Sequence, residues 1–290
     1  MVLESIINPV KMEKHPAEMY AVGFFYSTLG LLLALFLFVE GKEFEVISSI
    51  AAVFITTIPL VVVMMNTVKY EEEKDLCIHQ ERFLIKEHGK ALSMFLFMFL
   101  GIVSAYTFWF VVLPDSFLPL FSYQVHELQA IQQSVGAIGN VVNYGGLFGK
   151  ILVNNFIVLA VCVIFSLLYG AGAIMVLTIN ASVIGVAVGS KVREYLAALT
   201  YASHQQLLYG YFNSSVSITF CYMLHGAFEI SAYIVGALAG GIISVAVVNR
   251  KTCKHGFWHI VSDSSDLLML SIILLIVGAL IEVYMTPVIC

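Results

Sequence analysis

The chain has 290 residues, of which 60% are hydrophobic and only 11% charged. A soluble domain of this length carries about a quarter charged residues, so a water-soluble globular protein is excluded and an integral membrane protein implied. The net charge of -5 has no basic block behind it, which removes nucleic acid as a partner.

The N-terminal stretch carries Glu4, Glu13 and Glu18 with Pro9 and Pro16, and no small-residue cleavage site follows the first apolar run. That run, Ala21 to Val39, is therefore expected to remain as a membrane anchor and not to be cleaved as a signal peptide. An acidic turn, EGKEFE, leads to a second span from Val46 to Val68, with Pro59 tolerated as a kink. The most polar segment follows, KYEEEKDLCIHQERFLIKEHGK; its Leu76, Phe83 and Leu84 among mixed charges predict an amphipathic helix in water or at the headgroups. A third span runs from Leu92 to Leu113 and stops at Pro114.

Residues 115–150 hold few charges, and Phe121, Val125, Leu128 and Ile131 recur at helical spacing, which predicts a helix along the membrane surface. The fourth and fifth runs, Ile151–Leu168 and Ala173–Gly189, are joined at YGAG as a tight hairpin, crossing fully or re-entering. An aromatic, half-polar stretch from Arg193 to Ser215 suits an interface. Apolar sequence from Val216 to Val248 exceeds one bilayer crossing, and a last span covers Leu267 to Pro287. The fold class is thus all-α: a polytopic transmembrane helical bundle of about seven spans with interfacial amphipathic helices. Its parts are a two-span hairpin at 1–68, a cytoplasmic amphipathic segment at 69–91 and a membrane core at 92–290.

Seven spans divide the fourteen Lys and Arg residues unequally between the two faces. Lys42, Lys150, Lys191 and Arg193 fall on one side, and the remainder, clustered in the N-terminus, at 69–90 and at 250–254, on the other. The positive-inside rule then places the N-terminus in the cytoplasm and the C-terminus outside a cell membrane. The five cysteines are scattered without CxxC spacing, so neither a zinc site nor a disulfide framework is signalled.

Two acidic residues, Glu229 and Glu282, lie within apolar helices. A charged side chain at the bilayer centre costs about 2.5–3.5 kcal/mol even on the lenient insertion scale, so such residues need partners in a protein interior. In MLHGAFEI, His225 and Glu229 are four apart on one helical face and can meet or jointly hold a cation; Gly226 between them leaves room for a neighbour. By the topology above, Asn154 and Asn155 fall at the same depth as His225, Glu229 and Glu282, in the outer half of the membrane, with Asn180 one or two turns deeper. Lone asparagines in membrane helices ordinarily bond between helices for about 0.6 kcal/mol, and a glutamate near the interface can snorkel to the headgroups. HExxH, GxSxG and P-loop patterns do not occur.

The runs LVNNFIVLAVCVIFSLLYGAGAIMVLTINASVIGVAVG, HGAFEISAYIVGALAG and IEVYMTP resemble the stage II sporulation protein M family of integral membrane proteins. The resemblance covers about residues 85–290, and the preceding hairpin looks like the longer version found in archaea. It implies an all-helical polytopic fold whose marked polar positions match Asn154, Asn155, Asn180, His225, Glu229 and Glu282. In spore-forming bacteria the namesake acts with peptidoglycan-degrading partners, an activity not carried over here. Three readings follow from the residues. The first is a site of His225, Glu229 and Glu282, with the asparagines, that binds a divalent cation, a monovalent ion or a proton for transport. The second is a non-catalytic assembly protein that docks a membrane or external protein, or a second copy of itself. The third is a metal-dependent intramembrane enzyme acting on lipid.

Overall fold

Inside hydrocarbon the backbone has no water to bond to, so apolar runs of bilayer length must satisfy their own N–H and C=O groups as helices. The computed structural model describes residues 15–38, 45–77, 84–136, 144–169, 173–198, 224–244, 247 and 254–289, and every element among them is helical. In chain order these are α1 (Glu18–Phe38), α2 (Glu45–Cys77), α3 (Leu84–Val112), a 3-10 turn (Asp115–Phe121), α4 (Ser122–Gly136), α5 (Tyr144–Tyr169) and α6 (Ala173–Ala198). Then come α7 (Leu224–Ser244) and α8 (Lys254–Leu280), which continues through a π-helical stretch, Ile281–Met285, into a final turn, Thr286–Ile289.

Six helices, α1, α3, α5, α6, α7 and α8, are each long and apolar enough to cross a membrane. The second apolar run is shorter, Ile47–Val63, and lies inside a 33-residue helix with Pro59 in its interior. Of the charged segment 69–91, residues 78–83 lie outside the described residues. Residues 69–77 prolong α2 and 84–91 open α3, because nothing between the apolar runs and their charged flanks breaks helical geometry. The interfacial stretch expected after Ala198 lies outside the described residues up to 223, as do parts of the excess apolar sequence on either side of α7.

Packing divides the helices into two neighbourhoods. In the first, α3 is the hub, touching α1 and α6 along its length, with α2 against α1 and α6. Its Met94, Phe95, Met98, Phe99, Ile102 and Tyr106 are fully buried. Glycine lets the α1 and α3 backbones meet directly: a side chain at Gly23 would strike the Met98 carbonyl, and one at Gly101 the Tyr20 carbonyl. The Trp109 indole N–H adds a hydrogen bond to Thr28 Oγ1 at 3.2 Å. At Gly185 a Cβ would lie 2.7 Å from Tyr106 Cβ, which brings α6 equally close to α3.

The 115–136 segment caps this neighbourhood. Phe121 packs edge-on against Tyr106 and Phe110, Tyr123 N–H donates to Ser49 Oγ at 3.1 Å, and buried Gln124 donates to Ser182 Oγ at 3.1 Å. Expected along the surface, the segment in fact sends its first turns into the bundle. Beside it Arg193, near the end of α6, bonds Asp115 and the Leu113 carbonyl and lies over the Phe110 ring. The ends of α3 and α6 therefore share one face of the bundle. The second neighbourhood comprises α5, α7 and α8. The enclosed helix here is α7, with every residue from Ile230 to Ile242 buried except the half-buried Ser231.

Candidate functional site

The polar residues singled out by sequence meet where the first turns of α5 and α7 face the last turns of α8. Asn155 is buried on α5 and donates its amide to Glu229 Oε1 at 2.5 Å. The Glu229 carboxyl is in turn hydrogen-bonded to that of Glu282. Three helices thus contribute one side chain each to a contact chain Asn155–Glu229–Glu282. Both glutamates are half-buried, and among the described residues no ion pair joins either to a lysine or arginine.

Backbone geometry makes the meeting feasible. Gly278 lies one turn before Glu282, and a Cβ there would come 2.9 Å from Glu229 Cγ and 3.3 Å from Phe228 Cβ. Only hydrogen at that position lets α8 approach α7 closely enough for the acids to touch. Glu282 itself sits in the π-helical stretch Ile281–Met285, whose extra residue per turn resets the direction of the side chains that follow. The wide turn is visible at Thr286, whose hydroxyl donates back to the Ile281 carbonyl at 3.2 Å.

His225 is one turn from Glu229, yet the two do not pair as the i, i+4 spacing predicts. His225 Nδ1 lies 3.4 Å from Thr286 Oγ1, and Glu229 takes its partners from other helices. Thr286 is one turn beyond Glu282, so the His225–Thr286 contact forms a second layer nearer the helix ends. At the same end Tyr144, the first residue of α5, stacks on Tyr284 with centroids 5.8 Å apart. Tyr233 lies one turn deeper than Glu229; it is 4% exposed and lies in the neighbourhood of Glu229, Glu282 and Cys162.

The other asparagines stand apart. Asn154 is exposed, because a neighbour of Asn155 on a helix is turned about 100° from it. Asn180 donates to the Val176 carbonyl of its own helix at 2.8 Å, the local bond that short polar side chains make inside helices. Gly226 has open space where a Cβ would stand, so the close approach at this site is made at Gly278. Among the described residues no group of three His, Cys, Asp or Glu side chains is placed to hold a metal ion together. Thr286, Gly278 and Tyr233 belong to the site although the sequence reading did not select them. The TP after IEVYM was the available signal for Thr286; a glycine four residues before an intramembrane glutamate was the signal for Gly278.

An all-helical fold with several helices of bilayer length is what the family resemblance implied. The family model for stage II sporulation protein M matches residues 91–287. The chain belongs to that family. A relative in Methanocaldococcus jannaschii, an uncharacterized protein, is 31% identical over 143 residues, which cover 48% of this chain and 71% of the relative. No solved structure matches. The matched region opens within α3 and closes just past Thr286, so this family member carries its whole acid site inside the family's part of the chain.

Proposed function

We propose that this membrane protein binds a proton or a cation at the Glu229–Glu282 pair as part of transport or permeation across the bilayer. The observation that carries the reading is the direct hydrogen bond between two carboxyls on separate membrane-length helices. Two carboxylates that close, in low dielectric and with no basic partner among the described residues, need a proton or a cation between them. Release of the shared proton leaves adjacent like charges, which a cation entering the site relieves. Exchange of one for the other is the elementary step of proton-coupled transport. Asn155 holds one Glu229 oxygen in place, and His225 with Thr286 stands between the acids and the helix ends, where an imidazole can pass protons to water. By the positive-inside argument this mouth opens on the external face. Where metal is concerned, the paired acids with His225 turned to Thr286 favour a proton or a monovalent ion over a chelated divalent one.

The test is proton flux in proteoliposomes under an imposed pH gradient. Glu229→Gln keeps the size and hydrogen-bonding capacity of the side chain and removes its exchangeable charge. The expected result is at least a tenfold loss of flux with the variant still monodisperse and as stable as wild type. If the pair serves only as a bond between helices, as in an assembly protein, the variant and wild type behave alike and neither moves protons.

A further inference from the structure

We infer that α5 and α7 part at the acid end into a cleft beside Gly226, and that its occupant is an organic cation: an ammonium group on an apolar body, taken up in exchange for the proton that the two acids share. The inference rests on the exchange reading of the acid pair and names the cation.

The cleft follows from how the contact between α5 and α7 changes along its length. At 100° per residue Gly226, Glu229, Gly236 and Gly240 of α7 fall within about 80° of one another around the helix, so they share one face. Deep in the bundle that face is pressed against α5. A Cβ at Gly240 would lie 2.8 Å from the Val163 carbonyl oxygen, and one at Gly236 would lie 2.5 Å from Leu159 Cδ1. Nearer the helix ends Asn155 still reaches Glu229 at 2.5 Å. At Gly226, one turn beyond Glu229 and about 21 Å from Gly240, the contact has ended. Among the described residues nothing stands within 4 Å of where a Cβ would be, although this glycine is buried. Unfilled space therefore begins within one turn of the acid pair.

The matching face of α5 changes in the same direction. Tyr144, Phe148, Leu152, Asn155, Leu159 and Cys162 lie within about 80° of one another around their helix. Asn155, Leu159 and Cys162 are buried; Leu152 and Phe148, one and two turns nearer the helix end, are half-buried, and Tyr144 is exposed. From α8 come Glu282 of the acid pair, Thr286 beside His225 and Tyr284, which stacks on Tyr144 at the same end.

These groups select an occupant by their chemistry. A calcium or magnesium ion asks for about six or more oxygen donors, and Gly226, Leu152 and Phe148 have no side-chain donor to offer. A cation with hydrocarbon around its charge is matched at both ends. Carboxyls stand at the inner end, where no lysine or arginine among the described residues competes for them, and apolar side chains lie toward the outer end. The stacked tyrosines are about half exposed, and the faces of such rings attract ammonium groups. Charge balances as well: one cation enters as one proton leaves, and the net charge of the site does not change.

The experiment measures binding of radiolabelled benzyltrimethylammonium, whose charge no pH removes, to the full chain in detergent. Saturable binding is expected, with one proton released for each cation bound. Tetramethylammonium, which has the charge without the ring, should bind at least about tenfold more weakly. Glu229→Gln and Gly226→Leu should each weaken binding at least about tenfold, and Tyr144→Leu about two- to fivefold. Gly226→Ala tests the space without any ligand: its methyl group meets nothing, so the thermal midpoint should rise with alanine's helix preference, and a fall overturns the cleft. Wild-type binding by both Gly226→Leu and Tyr144→Leu overturns it too. A wild type that moves protons yet fails to bind the cation, or binds it no better than sodium, overturns the organic cation and leaves the acid-pair reading standing. Neither flux nor binding removes both.

Discussion

The Gly278→Ala substitution isolates the contact on which the acid pair depends. The new methyl group would stand 2.9 Å from Glu229 Cγ and 3.3 Å from Phe228 Cβ, whereas carbons in contact prefer about 3.5–4.0 Å. Relief requires α8 to back away from α7 by roughly 0.6–1 Å, enough to stretch a carboxyl–carboxyl hydrogen bond of about 2.5–2.7 Å beyond useful length. Overpacking of this kind costs about 1–3 kcal/mol. Alanine also stabilises a helix over glycine by about 0.8–1.0 kcal/mol, and that opposing effect has to be subtracted. Gly149→Ala measures it, since a Cβ at Gly149 meets nothing within 4 Å. The expected outcome is a higher thermal midpoint in detergent for Gly149→Ala and a lower one for Gly278→Ala, the two differing by about 1–3 kcal/mol. Equal stabilisation by both substitutions would falsify the claim that a bare backbone at 278 seats the two acids.

Two further substitutions test the capped end of the first neighbourhood. Arg193→Lys removes the planar fork that reaches both Asp115 and the Leu113 carbonyl; with Asp115 largely exposed, the loss should be about 1 kcal/mol, read as a drop of a few degrees in thermal midpoint. Ser182→Ala strands the Gln124 amide, whose carbonyl oxygen already has no partner, and should cost about 1–3 kcal/mol. Gln124→Leu, which removes the stranded group altogether, should be nearly neutral by comparison. The reverse order of stabilities would mean that Ser182 is not what holds the amide.

The helices and the acid pair were legible because both rest on large energies. Continuous apolar runs cannot be anything but helix in lipid, and Glu229 and Glu282 stand out because charge inside such runs is costly. Rotation about the helix axis was not legible. α5 is apolar around its whole circumference, so its pattern could not tell Asn154, which faces outward, from Asn155, which reaches Glu229. His225 and Glu229 share a face, but spacing along one helix says nothing of what other helices bring, and Thr286 and Asn155 became their partners. The π-helical stretch at Ile281–Met285 left no mark in composition, and the charged ends of α2 and α3, at 69–77 and 84–91, read as a separate element because hydropathy, not helical continuity, changes there. Asn180 was drawn into the site by depth alone, yet its amide is bonded to the Val176 carbonyl within α6.

The glycine contacts between α1 and α3 bear on where this molecule can be divided. The family match begins at residue 91, partway along α3, while α1 lies backbone to backbone against that helix at Gly23 and Gly101. A stretch of main chain seated that closely is shielded by its neighbour as a keel is by its planking, and cutting the chain at the family boundary would expose it. The evolutionary module and the mechanical one therefore have different edges: the first two helices are built into the hull and are not cargo lashed to its side.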